Sequence, residues 1–182
     1  MIVVEQTPLP GLVILRPNVF RDERGWFLES YNEHDFQNTL GANAHFVQDN
    51  ESLSQSGVVR GLHFQAHPHA QAKLVRVVQG AVLDVCLDIR PASRTFGQHF
   101  KVELSGKEKN MLWIPEGFAH GFRTLEDNTI FSYKCTGAYH PSSERTILWN
   151  DPELDIDWGI TDPVLSGKDK MGMPLKRFRE QN

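Results

Sequence analysis

The strongest constraint on the fold is a two-residue alternation of side chains, repeated in short runs along the chain. In the clearest run, residues 81–89, apolar side chains occupy every second position, and Asp84 and Asp88 stand among those between them. Because successive side chains of a strand point to opposite faces, this pattern predicts a half-buried β-strand. Less regular runs of the same kind occupy residues 12–15, 26–31, 58–64, 74–78, 100–104, 111–114 and 130–135.

Turn-forming residues separate these runs, and helical patterns are scarce. Many short strands at this spacing predict an all-β antiparallel sandwich or barrel. Residues 33–40 are expected to form two helical turns with Asn32 as N-cap, and residues 166–171 one further turn. We expect one domain over residues 1–182, because the 182-residue chain contains no repeat or linker. A less regular segment from about residue 151 is expected to pack across the barrel.

Composition and charge exclude several classes of function. The formal net charge of −4 argues against non-specific binding to nucleic acid, which usually requires a basic excess. No stretch approaches the ~18 apolar residues that a membrane span needs, and no signal peptide is recognised. The two cysteines, Cys86 and Cys135, form no C-x-x-C pair and are expected to be reduced thiols. We therefore expect a cytoplasmic protein without nucleic-acid or membrane partners.

A metal site is the first hypothesis that the histidines suggest. The pair His67-x-His69 has the spacing of the metal ligands in cupin barrels, and residues 115–120 supply a Pro-x-Gly-x-x-His segment that ends at His120. The position where cupins carry a carboxylate ligand holds Lys73, whose ammonium would repel a divalent ion. The cupin resemblance thus favours the barrel, but no metal is expected, and His67 and His69 are interpreted as solvated loop residues.

Without a metal, the same region resembles an anion-binding and proton-transfer site. Arg60, Lys73 and Arg76 fall on two neighbouring predicted strands, and Arg24 precedes another; such cations suit phosphate oxygens. Strict alternation would place Arg60 and His63 on opposite faces. A bulge at Gly61 is therefore needed for both to point inward.

His63 is the candidate general base. A histidine inside a strand is commonly a core residue, but His63 has Lys73 and Tyr133 as potential neighbours, and Asp169 could reach it from the C-terminal segment. A carboxylate bonded to one ring nitrogen fixes the tautomer and raises the basicity of the other nitrogen.

The chain resembles the dTDP-4-dehydrorhamnose 3,5-epimerases along nearly its whole length. The matching stretches follow one another at the family's spacing and are Arg21-Asp-Glu-Arg-Gly25, Gln48-Asp-Asn50, Arg60-Gly-Leu-His-Phe-Gln65, Gln71-Ala-Lys-Leu-Val-Arg76, Pro115-Glu-Gly-Phe-Ala-His-Gly-Phe122, Tyr133-Lys134, Trp149-Asn-Asp-Pro152 and Leu165-Ser-x-Lys-Asp169. The resemblance implies a cupin-like jelly-roll barrel and a homodimer in which N-terminal strands contribute to the partner's sheet.

The resemblance also implies a reaction and a set of catalytic residues. The substrate is a dTDP-linked 4-keto-6-deoxyhexose on the route to dTDP-L-rhamnose, whose C4 ketone acidifies the protons at C3 and C5. By this analogy His63 is the base, Asp169 orients it, and Tyr133 is the acid on the opposite face. Lys73 stabilises the enolate oxygen. No cofactor is needed, because the ketone itself is the electron sink.

Substrate contacts are implied in the same way. Arg24 and Arg60 resemble the family's diphosphate ligands. Around the sugar and the thymidine, the resemblance assigns Gln48, Asn50, His120, Phe20, Phe27, Glu29 and Lys168, with Tyr139 stacking on the base.

Three alternatives remain open at this point. One is a metal-dependent cupin oxygenase or isomerase, which the lysine at position 73 opposes. A second is a non-catalytic sugar-binding cupin, in which Tyr133 and a His63–Asp169 pair would have no purpose. The third is a monofunctional 3-epimerase of a related dTDP-4-keto-6-deoxyhexose, which would share the base and the pocket.

Overall fold

The computed structural model describes residues 2–40 and 45–181, which form antiparallel sheets and a few short helices. The strands are β1 (Val3–Gln6), β2 (Val13–Arg16), β3 (Val19–Asp22), β4 (Gly25–Leu28), β5 (Gln48–Ser54), β6 (Val59–Gln65), β7 (Lys73–Gln79), β8 (Ala81–Asp88), β9 (His99–Ser105), β10 (Met111–Ile114), β11 (Phe118–Thr124), β12 (Thr129–Cys135) and β13 (Glu144–Thr146). The helices are α1 (Glu33–Leu40), α2 (Gly167–Lys170) and α3 (Leu175–Gln181). The all-β, cupin-like jelly-roll prediction is confirmed.

Two sheets enclose the central core. A six-stranded sheet has the order β1-β2-β10-β7-β12-β5, and a five-stranded sheet has the order β13-β6-β11-β8-β9. Their inward faces bury a cluster that includes Val75 and Val77 from the first sheet and Val82, Cys86 and Phe122 from the second. Burial of such apolar side chains is the main force that holds two sheets together.

Strand β8 is buried on both faces, so the expectation of a half-buried strand was wrong. Val82 and Cys86 face the barrel interior, whereas Val85, Leu87 and Ile89 belong to a second buried cluster. The C-terminal segment covers that second face with Leu154, Trp158, Leu175 and Phe178, which are buried in the same cluster. The apolar alternation is therefore genuine, but the face that was expected to meet solvent is the barrel interior. The expected packing of this segment across the barrel is confirmed.

Helix α1 covers part of the outer face of the six-stranded sheet. Phe36 is buried in a cluster with Val13, Leu74 and Trp113. Asn32 caps the helix as expected, because its side-chain oxygen accepts a hydrogen bond from the backbone N–H of Asp35. The one-domain interpretation of residues 1–182 stays a prediction.

A bulge in β6 sets the direction of two polar side chains. The pairing of β11 with β6 shifts register between His120, which lies opposite His63, and Phe122, which lies opposite Arg60. Gly61 is located at this irregularity with φ +137°, and a Cβ atom there would lie 2.5 Å from the Cα of Gly121. A side chain at position 61 is thus excluded, and the bulge that the sequence required is present.

Strands β3 and β4 form a separate two-stranded hairpin. Phe20, Trp26 and Phe27 on this hairpin are each more than half exposed. None of the described helices is long and apolar enough to cross a membrane.

Candidate active site

A cavity of about 460 Å³ lies between the two sheets. Both sheets contribute to its wall, and the wall is rich in polar and ionisable side chains. The lining residues are Asp49, Asn50, Glu51, Ser52, Arg60, His63, Lys73, His120, Gly121, Phe122, Phe131, Tyr133, Glu144 and Lys168. Seven of the residues selected from the sequence for catalysis or substrate binding therefore line one cavity: Asn50, Arg60, His63, Lys73, His120, Tyr133 and Lys168.

His63 and Asp169 form a hydrogen-bonded pair at this cavity. The Nε2 atom of His63 lies 2.6 Å from Oδ1 of Asp169. The side chain of His63 is 23% exposed and that of Asp169 is 3% exposed. Because an ionised carboxylate can only accept, the imidazole carries its proton on Nε2. Nδ1 is then the nitrogen that keeps a lone pair for a proton from a ligand.

The chain holds Asp169 in place with three further contacts. Ser166 is the N-cap of α2 and accepts a bond from the backbone N–H of Asp169, while its hydroxyl donates to Oδ2 of the same carboxylate at 2.5 Å. The backbone N–H of Gly61, at the bulge, donates to Oδ1 at 3.1 Å. Burial opposes ionisation of Asp169, but the hydrogen bonds from His63, Ser166 and Gly61 outweigh it and lower the pKa to about 2.

His63 is held in its neutral, basic form. Burial lowers the pKa of its imidazole below the usual 6.5, and the nearby ammonium groups of Lys168 and Lys73 lower it further. The hydrogen bond and charge of Asp169 act in the opposite direction and do not overcome the burial. A neutral imidazole at pH 7 is the state that can accept a proton.

Tyr133 and Lys73 line the cavity from the six-stranded sheet. Burial raises the pKa of the Tyr133 phenol, and the Cys135 side chain adds to this effect. The phenol therefore stays protonated at neutral pH. The Lys73 ammonium lies 6.0 Å from the centroid of the Tyr133 ring, and burial lowers its pKa. A lysine with a lowered pKa gives up its proton more readily to a basic oxygen.

A second histidine–aspartate pair lies deeper in the barrel. Nε2 of His120 and Oδ2 of Asp84 are 2.9 Å apart, and both side chains are buried. Sequence reasoning selected His120 but assigned Asp84 no role. An acidic residue in the middle of an apolar run such as residues 81–89 was the signal that could have identified it, because an isolated charge is rarely buried without a partner.

The remaining polar groups cluster around Glu144, which sequence reasoning also missed. Glu144 accepts hydrogen bonds from Lys168 Nζ at 2.7 Å and from the Tyr139 hydroxyl at 3.1 Å. Burial raises the pKa of Glu144, but the Lys168 ammonium outweighs it, so the net pKa is lowered. Tyr139 is 50% exposed, and its backbone N–H donates to Oε1 of Gln48. No motif marked Glu144 in the sequence: Tyr139 is five positions away, but the bond to Lys168 spans 24 positions.

Seven of the selected residues are not among those that line this cavity: Asp169, Gln48 and Tyr139 form hydrogen bonds to lining residues, and four others lie farther away. Phe20, Arg24 and Phe27 lie on the β3–β4 hairpin, and Glu29 follows it directly. None of these four is among the residues that line the cavity. Arg24 instead forms an exposed ion pair with Asp22 in its own hairpin.

His67 and His69 stand outside the cavity wall as well. His67 is exposed, and the ring of His69 stacks on that of His140 with their centroids 3.6 Å apart. The two histidines with metal-ligand spacing therefore do not converge with His120.

A jelly-roll barrel with paired ionisable side chains inside its cavity has the architecture of a cupin-like protein with an acid–base site. A family model described as dTDP-4-dehydrorhamnose 3,5-epimerase matches residues 6–177. The chain belongs to the dTDP-4-dehydrorhamnose 3,5-epimerase family.

Individual relatives agree with this assignment. The dTDP-4-dehydrorhamnose 3,5-epimerase of Salmonella typhimurium is 53% identical over 170 residues, which are 93% of each chain. A solved structure of the dTDP-6-deoxy-D-glucose-3,5-epimerase from Legionella pneumophila, in complex with dTDP-4-keto-L-rhamnose, is 46% identical with a TM-score of 0.95, and covers 100% of this chain and 96% of that one. A 3'-monoepimerase from Streptomyces bikiniensis, in complex with dTDP-quinovose, is 29% identical with a TM-score of 0.91, over 96% and 89% of the two chains.

Proposed function

We propose that this enzyme epimerises dTDP-4-keto-6-deoxy-D-glucose at C3 and C5 to give dTDP-4-keto-L-rhamnose. The observation that carries the proposal is the placement of a neutral, carboxylate-bound His63 and a protonated Tyr133 around one cavity, on different sheets. Inversion of a carbon centre needs a base on one face and an acid on the other. Family membership supplies the substrate class, and the geometry supports the chemistry.

Each inversion would proceed through an enolate. Nδ1 of His63 takes the proton from C5 or C3, and the electrons of the broken C–H bond pass to the ketone oxygen at C4. The Lys73 ammonium stabilises the developing negative charge, where a fixed cation contributes most. The Tyr133 hydroxyl then donates its proton to the carbon from the opposite face. Solvent returns a proton to the tyrosinate and removes one from the imidazolium, so the enzyme is unchanged.

Asp169 would act as a positioning residue for this base. Its carboxylate holds Nε2–H of His63 and so directs Nδ1 to the substrate. Asp84 would do the same for His120, which would meet the sugar as a hydrogen-bond partner. Arg60 would bind the diphosphate, while Gln48, Asn50, Lys168 and Tyr139 would hold the sugar and the thymidine.

We further propose that the working enzyme is a homodimer and that the β3–β4 hairpin completes the partner's site. Phe20 and Phe27 are exposed on one face of this hairpin, with their ring centroids 6.4 Å apart, although exposed aromatic pairs are costly in water. A hairpin inserted beside a partner's cavity would bury both rings and bring Arg24 and Glu29 to the nucleotide. As compartment we propose the cytoplasm, where the free thiols of Cys86 and Cys135 stay reduced.

One experiment tests the reaction directly. The protein is incubated with dTDP-4-keto-6-deoxy-D-glucose in deuterated water and followed by NMR. We expect deuterium at both C3 and C5 and the L-rhamno configuration in the product. Deuterium and inversion at C3 alone would indicate a 3-epimerase, and no exchange at either carbon would refute the proposal.

A complementation experiment tests the shared site. Arg24→Ala and His63→Ala variants are each expected to be weakly active, and they are mixed under conditions that exchange subunits. If the hairpin acts in the partner, each mixed dimer contains one intact site and activity returns. Unchanged activity in a mixture that has demonstrably exchanged would show that the hairpin serves its own chain.

A further inference from the structure

Three potential metal ligands meet in the barrel interior, beside the proposed active site. Asp84 and Cys86 are two residues apart on β8 and therefore point to the same face. His120 on β11 lies directly opposite Cys86 in the sheet register. The ligand atoms of the three side chains all lie within 4.8 Å of one another, and all three residues are buried.

We propose that Asp84, Cys86 and His120 form a binding site for a divalent cation that prefers sulfur and nitrogen ligands, such as Zn²⁺ or Cd²⁺, and that its occupancy inhibits the enzyme. Two ligands at alternate positions of one strand and a third on the adjacent strand converge on a single point. The resulting Cys-His-Asp set is one that zinc accepts, with the fourth position left open toward the cavity that His120 lines.

The distances between the ligand atoms suit such an ion. Tetrahedral zinc with bonds of about 2.0–2.3 Å needs ligand atoms about 3.3–3.7 Å apart. Here Oδ2 of Asp84 lies 2.9 Å from Nε2 of His120, and Oδ1 of Asp84 lies 3.8 Å from Sγ of Cys86. These two separations lie on either side of the required range, and the ligand atoms of all three side chains lie within 4.8 Å of one another.

The surroundings decide which ions can enter. The ammonium of Lys73 faces the same interior and repels any cation, so an ion binds only if the bonds to its ligands outweigh this repulsion. A thiolate forms strong bonds to Zn²⁺ and Cd²⁺ but not to Mg²⁺ or Ca²⁺, which prefer oxygen ligands. On binding, the metal–sulfur bond replaces the S–H bond, and the thiol proton leaves to the solvent.

Inhibition follows from the position of the site and rests on the proposed function. A bound ion would draw His120 away from the sugar and add positive charge beside Lys73. The ion would also narrow the cavity in which the enolate forms. The site includes His120, which ends the Pro-x-Gly-x-x-His segment, but neither His67 nor His69 takes part in it.

Binding is tested with Cd²⁺ on the metal-free, full-length protein, followed by the ultraviolet charge-transfer band of cadmium thiolate. We expect one equivalent of Cd²⁺ per chain for the parent protein, no band for Cys86→Ala, and an unchanged band for Cys135→Ala, which removes the other buried cysteine. No band in the parent, or a band that depends on Cys135 instead, would overturn the inference. If Cys86→Ala fails to fold, Cys86→Val fills the core and answers the same question.

Activity gives the second measurement. We expect Zn²⁺ to inhibit the parent reversibly, with recovery on chelation, and the midpoint of inhibition to rise at least tenfold in Cys86→Ala. Equal inhibition of both proteins would refute the inhibitory role. Because the cadmium band is independent of turnover, it would still appear if the proposed reaction were wrong. Conversely, an active epimerase without the band would refute this inference alone.

Discussion

His63 and Tyr133 line one cavity from different sheets, His63 on β6 of the five-stranded sheet and Tyr133 on β12 of the six-stranded sheet. The two proposed proton-transfer groups are therefore supported by separate hydrogen-bonded frameworks. A substrate held between the sheets can present one face of its ring to each group. This arrangement allows the two roles to be separated by mutation.

Removal of the Tyr133 hydroxyl should separate exchange from inversion. Tyr133→Phe keeps the ring and its packing, and proton transfer by a positioned group is typically worth ~10²–10⁴-fold in rate. We expect inverted product to fall by about that factor, while His63 continues to exchange deuterium with retention at C5. NMR in deuterated water measures both outcomes. Inversion of both centres at the parent rate would transfer the role of the acid to another group.

His63→Ala should abolish deuterium exchange at both C3 and C5, because the base is lost. Affinity for dTDP should stay within a few fold of the parent, since the imidazole is expected to contact the sugar and not the nucleotide. Isothermal titration calorimetry provides this control. Exchange at the parent rate in the variant would require a different base.

Asp169→Asn should reduce exchange without abolishing it and should shift the pH profile. The lowered pKa of His63 predicts that the acidic limb of kcat/KM lies below pH 6.5. Asp169 raises this pKa by hydrogen bond and charge, so its replacement should move the limb to still lower pH. A purely structural role would lower the rate and leave the limb in place.

Arg60→Ala should weaken the binding of dTDP far more than that of thymidine. Arg60 lines the cavity, and its Nε donates to the Ser54 hydroxyl at 3.2 Å. A guanidinium forms charge-assisted bonds to a diphosphate, which thymidine lacks. Calorimetry with both ligands decides the question, and an equal loss for the two would contradict the assignment. Arg76→Ala, on β7 of the other sheet and outside this cavity, is the matched control.

Chelation should leave the enzyme active. Lys73 occupies the position of a cupin carboxylate ligand, and the proposed proton transfers use only side chains. Activity should survive exhaustive dialysis against EDTA, measured alongside elemental analysis of the same sample. Activity that is lost and then restored by one particular ion would refute this account of the mechanism.

Acid should destabilise the fold through Asp88 as well as Asp169. Burial opposes ionisation of Asp88, but bonds from Arg90, Ser93 and Thr95 outweigh it and lower the pKa from 3.8 to about 2. A carboxylate with a lowered folded-state pKa stabilises the protein above pH 4, by about 2 kcal/mol here, and loses this effect as the pH falls toward 2.

Denaturant unfolding of the parent and of Asp88→Asn between pH 7 and pH 2 measures this effect. The variant should be less stable at pH 7 and should lose less free energy of unfolding on acidification. The exposed Glu126→Gln is the control and should follow the parent curve. Equal acid dependence of the parent and Asp88→Asn would show that Asp88 does not contribute.

Local pattern was sufficient to predict most of the barrel. The runs at residues 74–78, 111–114 and 130–135 all became strands, because alternation and β-forming residues act within a few positions of one another. Strands β1, β3, β5, β11 and β13 were missed, and of these β5, β11 and β13 line the cavity. In β5 polar side chains occupy both faces, and β11 contains Gly121 and the ligand-like His120, so neither shows a clean apolar period. Helix α3 was also missed in a segment that was expected to be irregular.

The sequence predicted those site residues whose side-chain type indicates their chemical role, such as His63, Lys73 and Tyr133. The contact between His63 and Asp169 spans 106 positions, and nothing local encodes it. The same holds for the bond between Glu144 and Lys168. The sequence also did not predict that four selected residues lie away from the cavity, namely Phe20, Arg24, Phe27 and Glu29. Side-chain type predicts what a group can bind but not where the fold places it.

The carboxylate that orients His63 lies in the same segment that seals the outer apolar face of β8. Asp169 is followed within a few residues by Leu175 and Phe178, both buried in that layer. A ribosome-bound chain can therefore complete its strands β1–β13 before the residue that orients its base has been synthesised. Translation must therefore pass Asp169 before His63 can be held in its working orientation. A chain that terminates before Asp169 would keep the barrel strands but lack the carboxylate that orients His63, and it would leave much of the outer apolar face of β8 uncovered.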